Sequence, residues 1–187
     1  IHNINKSILE QSRELINGKV NKIDIAVPYY DPEVLALKEI QELYPDSKIK
    51  LYIQNERNTF PEKYKEQFEI NLYNKFNDNE SYHFYHGKVF RFITDNDSYV
   101  LYGSANCTNA AFTKATISGG NVECDLFARG KIDEYDYFFD NFFIEEGIEF
   151  KSDILNVDKY EKNNYLFNDN ITNTLYFKFK NKYDDLK

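Results

Sequence analysis

At 187 residues, with 42% hydrophobic and 29% charged side chains, the chain has the make-up of a folded globular protein and not of a disordered or fibrous one. A formal charge of −8 excludes a broad cationic surface of the kind that scans nucleic acid by neutralising phosphates, although a small cationic cleft is compatible with it. No apolar run approaches the roughly 20 residues of a membrane span, and the opening IHNINKSILEQSREL lacks the basic start and apolar stretch of a secretion signal, so the expectation is a cytoplasmic protein without a membrane partner.

In the first third, Ile4, Ile8, Leu9, Leu15 and Ile16 recur at helical spacing and KIDIAVPYY follows as a β-rich run closed by Pro and Asp, which predicts helix then strand. PEVLALKEIQELY again has helical periodicity, with Pro32 at a plausible first-turn position. KIKLYI reads as a second strand, and PEKYKEQFEINLYNKF as another Pro-led helix. This βαβ texture favours parallel strands with helices on the faces.

Residues 81–103 read differently, as SYHFYHGKVFRFIT and SYVLYG joined by the polar turn Asp-Asn-Asp, a pattern that predicts two antiparallel strands. CTNAAFTKA is a candidate short helix and NVECDLFA a strand. EYDYFFDNFF carries apolar residues on one helical face. The expected division is a main domain over 1–146 and, over 147–187, a linker with strands of an incomplete second unit around the alternating stretch TLYFKFK. Methionine is absent even at position 1, which points to a piece of a longer protein whose partners lie elsewhere. The two cysteines, Cys107 and Cys124, lack metal-ligand spacing and are expected to be buried thiols without a redox role.

The chemistry concentrates at strand ends. In an extended HGK segment His86 and Lys88 share a face, pairing a nucleophile or base with a fixed positive charge, and Gly87 leaves the space between them open. In GSAN, Ser104 and Asn106 share parity and supply a hydroxyl and an amide to phosphate oxygens. Asn121 and Glu123 in NVE repeat the spacing, and a carboxylate there can fix the tautomer of an imidazole. Singly each fragment is more often structural; the ordered set within 38 residues is not readily a coincidence. His83 has the opposite parity to His86 and reads as structural, and alternation turns both cysteines away from the site.

On these residues the sequence resembles the phospholipase D superfamily, whose HKD motif runs His-x-Lys, four residues, Asp, six residues, Gly-Ser-x-Asn. The match is YHGKVFRFITDNDSYVLYGSANCTNAAF followed by GGNVECDLF, within residues 82–127, and it is closest to the small prokaryotic nucleases and to nuclease-like domains attached to restriction enzymes and helicases. One departure stands out: Ile93 occupies the position of the motif Asp, and the stretch from Lys88 to Gly103 is three residues longer than the pattern. Asp95 and Asp97 fall in the extended turn and read as turn formers.

The resemblance implies an α/β/α sandwich with a mixed sheet and a single HKD half-unit. It further implies a phosphohistidine formed by one His, and a second His that protonates the leaving oxygen. Because this chain holds one HKD set, the second half would come from another subunit in a twofold homodimer. Catalytic roles would fall to His86, Lys88, Ser104, Asn106 and Glu123, with no metal or cofactor required, and the substrate would be DNA or RNA. A fusion to a helicase or specificity domain is expected on the same ground. Two other readings stay open: a catalytically silent dimerisation or nucleic-acid-binding module, and a lipid phosphodiesterase.

Overall fold

The computed structural model describes residues 1–76, 84–152, 165–169 and 174–178; His83 lies outside the described residues. They fall into two units, 1–153 and 154–187. In the second, β8 (Tyr165–Asp169) and β9 (Thr174–Lys178) pair antiparallel, β9 coming from the alternating stretch TLYFKFK.

In the first unit, period-two sequences form the sheet. β1 (Val20–Ala26), β2 (Lys48–Gln54) and β3 (Glu69–Phe76) run parallel, and β4 (Val89–Thr94), β5 (Asp97–Gly103), β6 (Asp125–Lys131) and β7 (Phe142–Ile144) complete a mixed seven-stranded sheet in the order β6-β5-β4-β1-β2-β3-β7. Alternation decides what each face buries. Ile23 and Ile25, Leu51 and Ile53, Phe90 and Phe92, and Leu101 face a large core closed by α1 (Ile8–Leu15) and α2 (Leu35–Leu43) through Ile8, Leu9, Leu37 and Ile40. Ala26, Tyr52, Val89 and Val100 face a smaller, aromatic core closed by Tyr135, Phe139 and Phe142.

Helix α1 starts where the sequence provides a capping box: Ser7 Oγ accepts from Glu10 N–H, and Glu10 accepts from Ser7 N–H at 2.7 Å. Helix α2 starts three residues later than Pro32 predicts. Val34, fully buried, adopts φ 47°, a left-handed conformation costly for a β-branched residue, and Asp31 takes over the capping by accepting Ala36 N–H at 3.0 Å.

Three expectations are corrected. PEKYKEQFEINLYNKF is not one helix: a short 3-10 segment, Glu62–Gln67, gives way to β3, because Ile70 and Leu72 alternate with Asn71 and Tyr73 and fit the parallel register beside β2. EYDYFFDNFF yields only a single helical turn, α3 (Tyr137–Asp140), before β7, since Phe142 must pair against β3 to cover Tyr52 and Tyr73. The first unit also continues beyond 146: Phe150 is buried against Phe60, and Asn55 and Asn58 bind the backbone of Glu149 and Lys151.

Asp24 on β1 is fully buried, and its β4 neighbour Arg91 donates to it through Nε at 3.1 Å and a terminal nitrogen at 2.7 Å, then reaches Asp136. Two donors converging on the one oxygen, Asp24 Oδ2, and the second carboxylate of Asp136 satisfy a guanidinium that burial would otherwise penalise. This cluster fastens the 133–142 segment to the sheet.

Candidate active site

The carboxyl ends of β1 and β5, the start of β4 and the start of β6 lie at one edge of the sheet, where open α/β sheets place their ligands. All five predicted residues flank strands at this edge rather than sitting within them. HGK precedes β4, GSAN follows β5, and Glu123 precedes β6. Gly103 N–H donates to Lys88 O at 3.2 Å and so ties the first two segments together.

Lys88 is buried to 7% exposure and folds back on His86. Its Nζ stands 3.1 Å from Nδ1, 3.0 Å from Nε2 and 2.9 Å from the His86 carbonyl. Near-equal distances to both ring nitrogens mean that the ammonium lies over the imidazole face, since the in-plane position between them is filled by Cε1. Neither nitrogen lone pair is therefore consumed. Burial, and after it the Lys88 charge, lowers the His86 pKa, which favours the neutral ring. Burial also lowers the Lys88 pKa, with Glu123 pulling it back up. The imidazole itself is exposed, with an edge contact to Tyr29 at 5.9 Å and a tilted contact to Phe84 at 5.5 Å between centroids. The space between His86 and Lys88 is not open as expected: a Cβ on Gly87 would meet Tyr85 Cζ at 2.3 Å, so only glycine lets the Tyr85 ring close over the segment.

Ser104 Oγ donates to Glu123 Oε2 in a short hydrogen bond and accepts Cys124 N–H at 3.0 Å. Asn121 Nδ2 donates to the other Glu123 oxygen at 3.2 Å. Glu123 thus orients Ser104 and not the imidazole, a correction to its expected role. Asn106 stands apart from these bonds, its Oδ1 buried without a hydrogen-bond partner among the described residues. Its segment is fixed by a parallel bridge between Tyr30 and Cys107 and by Phe90 stacking on Phe112 at 4.2 Å. Cys107 is buried, but Cys124 is exposed: its backbone bridges His2 on one side and donates to Ser104 on the other, while alternation turns its side chain away from the face where Glu123 and Asp125 are buried.

Sequence reasoning missed two residues that hold this half of the site. Asn3, fully buried, accepts Glu123 N–H at 2.8 Å and donates to the carbonyls of Asn121 at 3.0 Å and Lys114 at 3.2 Å, setting the loop that presents Glu123. Asp125, 3% exposed, accepts Ala105 N–H at 3.1 Å, and burial raises its pKa. Gly103 makes room for it: a Cβ there would lie 2.5 Å from both Asp125 Oδ1 and Cys124 O. An Asn far upstream carries no local signal, whereas Asp125 shares strand parity with Glu123, a signal that could have found it.

Asp95 and Asp97 sit at the other end of the β4–β5 hairpin, accepting from Asn21 at 2.7 Å and Arg129 at 2.8 Å, and Ile93 pairs with Ser98 near that turn. None of the three is at the edge that carries His86. Among the described residues no cluster of three or more His, Cys, Asp or Glu side chains gathers as a metal site, and no helix is long and apolar enough to cross a membrane. No family model and no curated protein matches the chain.

Proposed function

We propose that this chain is a phosphodiesterase of the phospholipase D type, a nuclease that forms a phosphohistidine on His86 and completes its site across a homodimer. One observation carries the reading: an exposed imidazole lies under a buried ammonium at the same sheet edge that carries a hydroxyl oriented by a carboxylate. The phospholipase D-like sandwich belongs to the same proposal. A mixed sheet with α1 and α2 on one face and the short α3 segment on the other supports a half-unit of that kind.

In the proposed reaction an imidazole nitrogen of His86 attacks phosphorus and the bond to the leaving oxygen breaks. Lys88 offsets the charge that builds on the phosphoryl oxygens. A bound phosphodiester also takes over the Ser104 proton that the free chain commits to Glu123. The leaving oxygen takes a proton from the second imidazole, supplied by the other copy, and water then releases the phosphate from His86 with the proton returned. Site and mate would meet about a twofold axis.

Purified chain is expected to cleave DNA or RNA in excess chelator, and His86→Ala to lower the rate by about 10⁴-fold or more. Denaturant quench at alkaline pH followed by peptide mass analysis should place the phosphoryl group on His86. Undiminished cleavage by His86→Ala would sink the proposal. A competing reading, a silent dimerisation or nucleic-acid-binding module, draws on Ile93 and the charge of −8, and predicts no phosphorylated His86 from any substrate.

A further inference from the structure

On the aromatic face of the sheet a groove of about 430 Å³ shares Lys88 and Gly103 with the site and continues along Tyr85, Tyr102, Phe138 and Tyr137. Tyr137 is 57% exposed and Tyr102 38% exposed, values unusual for rings that do nothing but fill a core. They are nevertheless ordered against one another: Tyr137 stacks on Phe138 at 4.5 Å and 29°, and Phe138 lies 5.4 Å from Tyr102. The row is propped from behind by Arg91, whose guanidinium sits 4.7 Å over Phe139 and is fixed by Asp24 and Asp136.

We infer that this groove is a stacking subsite for the nucleobase beside the scissile phosphodiester, and that the substrate is single-stranded nucleic acid or a strand with that base unstacked. The inference rests on the phosphodiesterase reading above and names its substrate class. A planar ligand fits because the exposed ring faces are sequence-tolerant platforms, while the cation at the Lys88 end faces the phosphate. Base identity goes unread, since Asn141, whose amide is engaged with Tyr137 O at 3.1 Å, is the one amide side chain lining the groove. Duplex is disfavoured by charge. The turn and helical segment beside the groove, residues 133–140, carry Asp133, Glu134 and Asp140 besides the Arg91-paired Asp136, and a duplex presents a phosphate about every 1.7 Å along its axis. Stacking must then replace the phosphate contacts that a basic track would give.

The experiment titrates fluorescent single-stranded hexanucleotides, with and without abasic positions, against the intact chain and its Tyr137→Ala, Tyr102→Ala and Tyr137→Phe variants. Both positions are exposed, and thermal unfolding checks that each variant folds. Each Ala variant should weaken binding of the base-bearing strand about tenfold, Tyr137→Phe should bind like the parent, and the abasic strand should bind all four proteins alike. Equal affinity of the parent for the two strands overturns the inference, as does displacement by short-chain phospholipid monomers but not by nucleoside monophosphates, which would mark the groove as an acyl-chain site. Base-dependent binding without hydrolysis removes the phosphodiesterase reading and leaves the stacking subsite standing; hydrolysis by His86 without base-dependent binding does the reverse.

Discussion

Residues 84–88 and residues 103–125 meet at the same sheet edge but are held in opposite ways. The first segment precedes β4 and is positioned largely by rings, Tyr29 and Phe84 against His86 and Tyr85 against Tyr73 and Phe142, with backbone ties from Tyr85 N–H to Gln54 at 2.9 Å and from Gly103 N–H to Lys88 O at 3.2 Å. The second is cross-tied by hydrogen bonds: Ser104, Asn121 and the distant Asn3 all bond Glu123, and Asp125 accepts Ala105 N–H. Ring contacts set position loosely in rotation, whereas bonded carboxylates and amides set direction. In the proposed reaction the imidazole would thus keep freedom to meet phosphorus, while the groups that would stabilise charge are fixed in advance, which is what preorganised electrostatics requires.

The contrast makes separable predictions. The largest effect should follow Gly103→Ala: its Cβ would enter the space of Asp125 Oδ1 and a backbone carbonyl, neither a free side-chain tip, at an expected cost of about 3 kcal/mol in urea unfolding. Asn3→Ala comes next. It strips partners from the Glu123 N–H and from two carbonyls, and about 2 kcal/mol should be lost together with turnover, as the Glu123 loop loses its register. His86→Ala, by contrast, should leave the unfolding free energy within about 0.5 kcal/mol while abolishing turnover, because the ring is exposed and its contacts are confined to the Lys88 ammonium and the Tyr29 and Phe84 rings. If His86→Ala destabilised the chain as much as Asn3→Ala does, the two segments would not differ in the way described.

Much of the sheet was legible in the sequence because β1, β2, β4 and β5 alternate cleanly, and the turn residues Asp95 and Asn96 separate β4 from β5. β3 was hidden because EKYKEQ before it is rich in helix formers and the Pro at 61 imitates a helix start; the parallel register with β2 overrides that propensity. The site residues were legible as types and order, since HGK, GSAN and NVE each abut a strand. Their partners were not. That Glu123 binds Ser104 and that Asn3 holds the Glu123 loop depend on contacts between segments apart in sequence, and that Lys88 lies over the imidazole depends on side-chain torsions that parity does not fix. Cys124 illustrates the same limit: parity sets its direction, but what covers the face it points to is decided by the packing of distant segments, and it is left exposed.

The smallest effect concerns protons. Burial first and the Lys88 charge second hold the His86 pKa below the ordinary imidazole value of about 6.5, and attack on phosphorus needs the neutral ring. Turnover should therefore fall on the acid side only as pH drops through that lowered pKa, so activity persists below the pH at which a free imidazole would already be half protonated. Lys88→Met removes the second cause and leaves the first, so the His86 titration followed by NMR should move up towards the ordinary value without reaching it. Lys88→Arg keeps the charge and should leave the titration close to that of the parent. Because the ammonium lies over the ring face and not along one lone pair, the shift should be the same whichever nitrogen carries the proton. A downward move in Lys88→Met would mean that Lys88 stabilises the protonated ring, and the pair would then serve as an acid instead of a nucleophile.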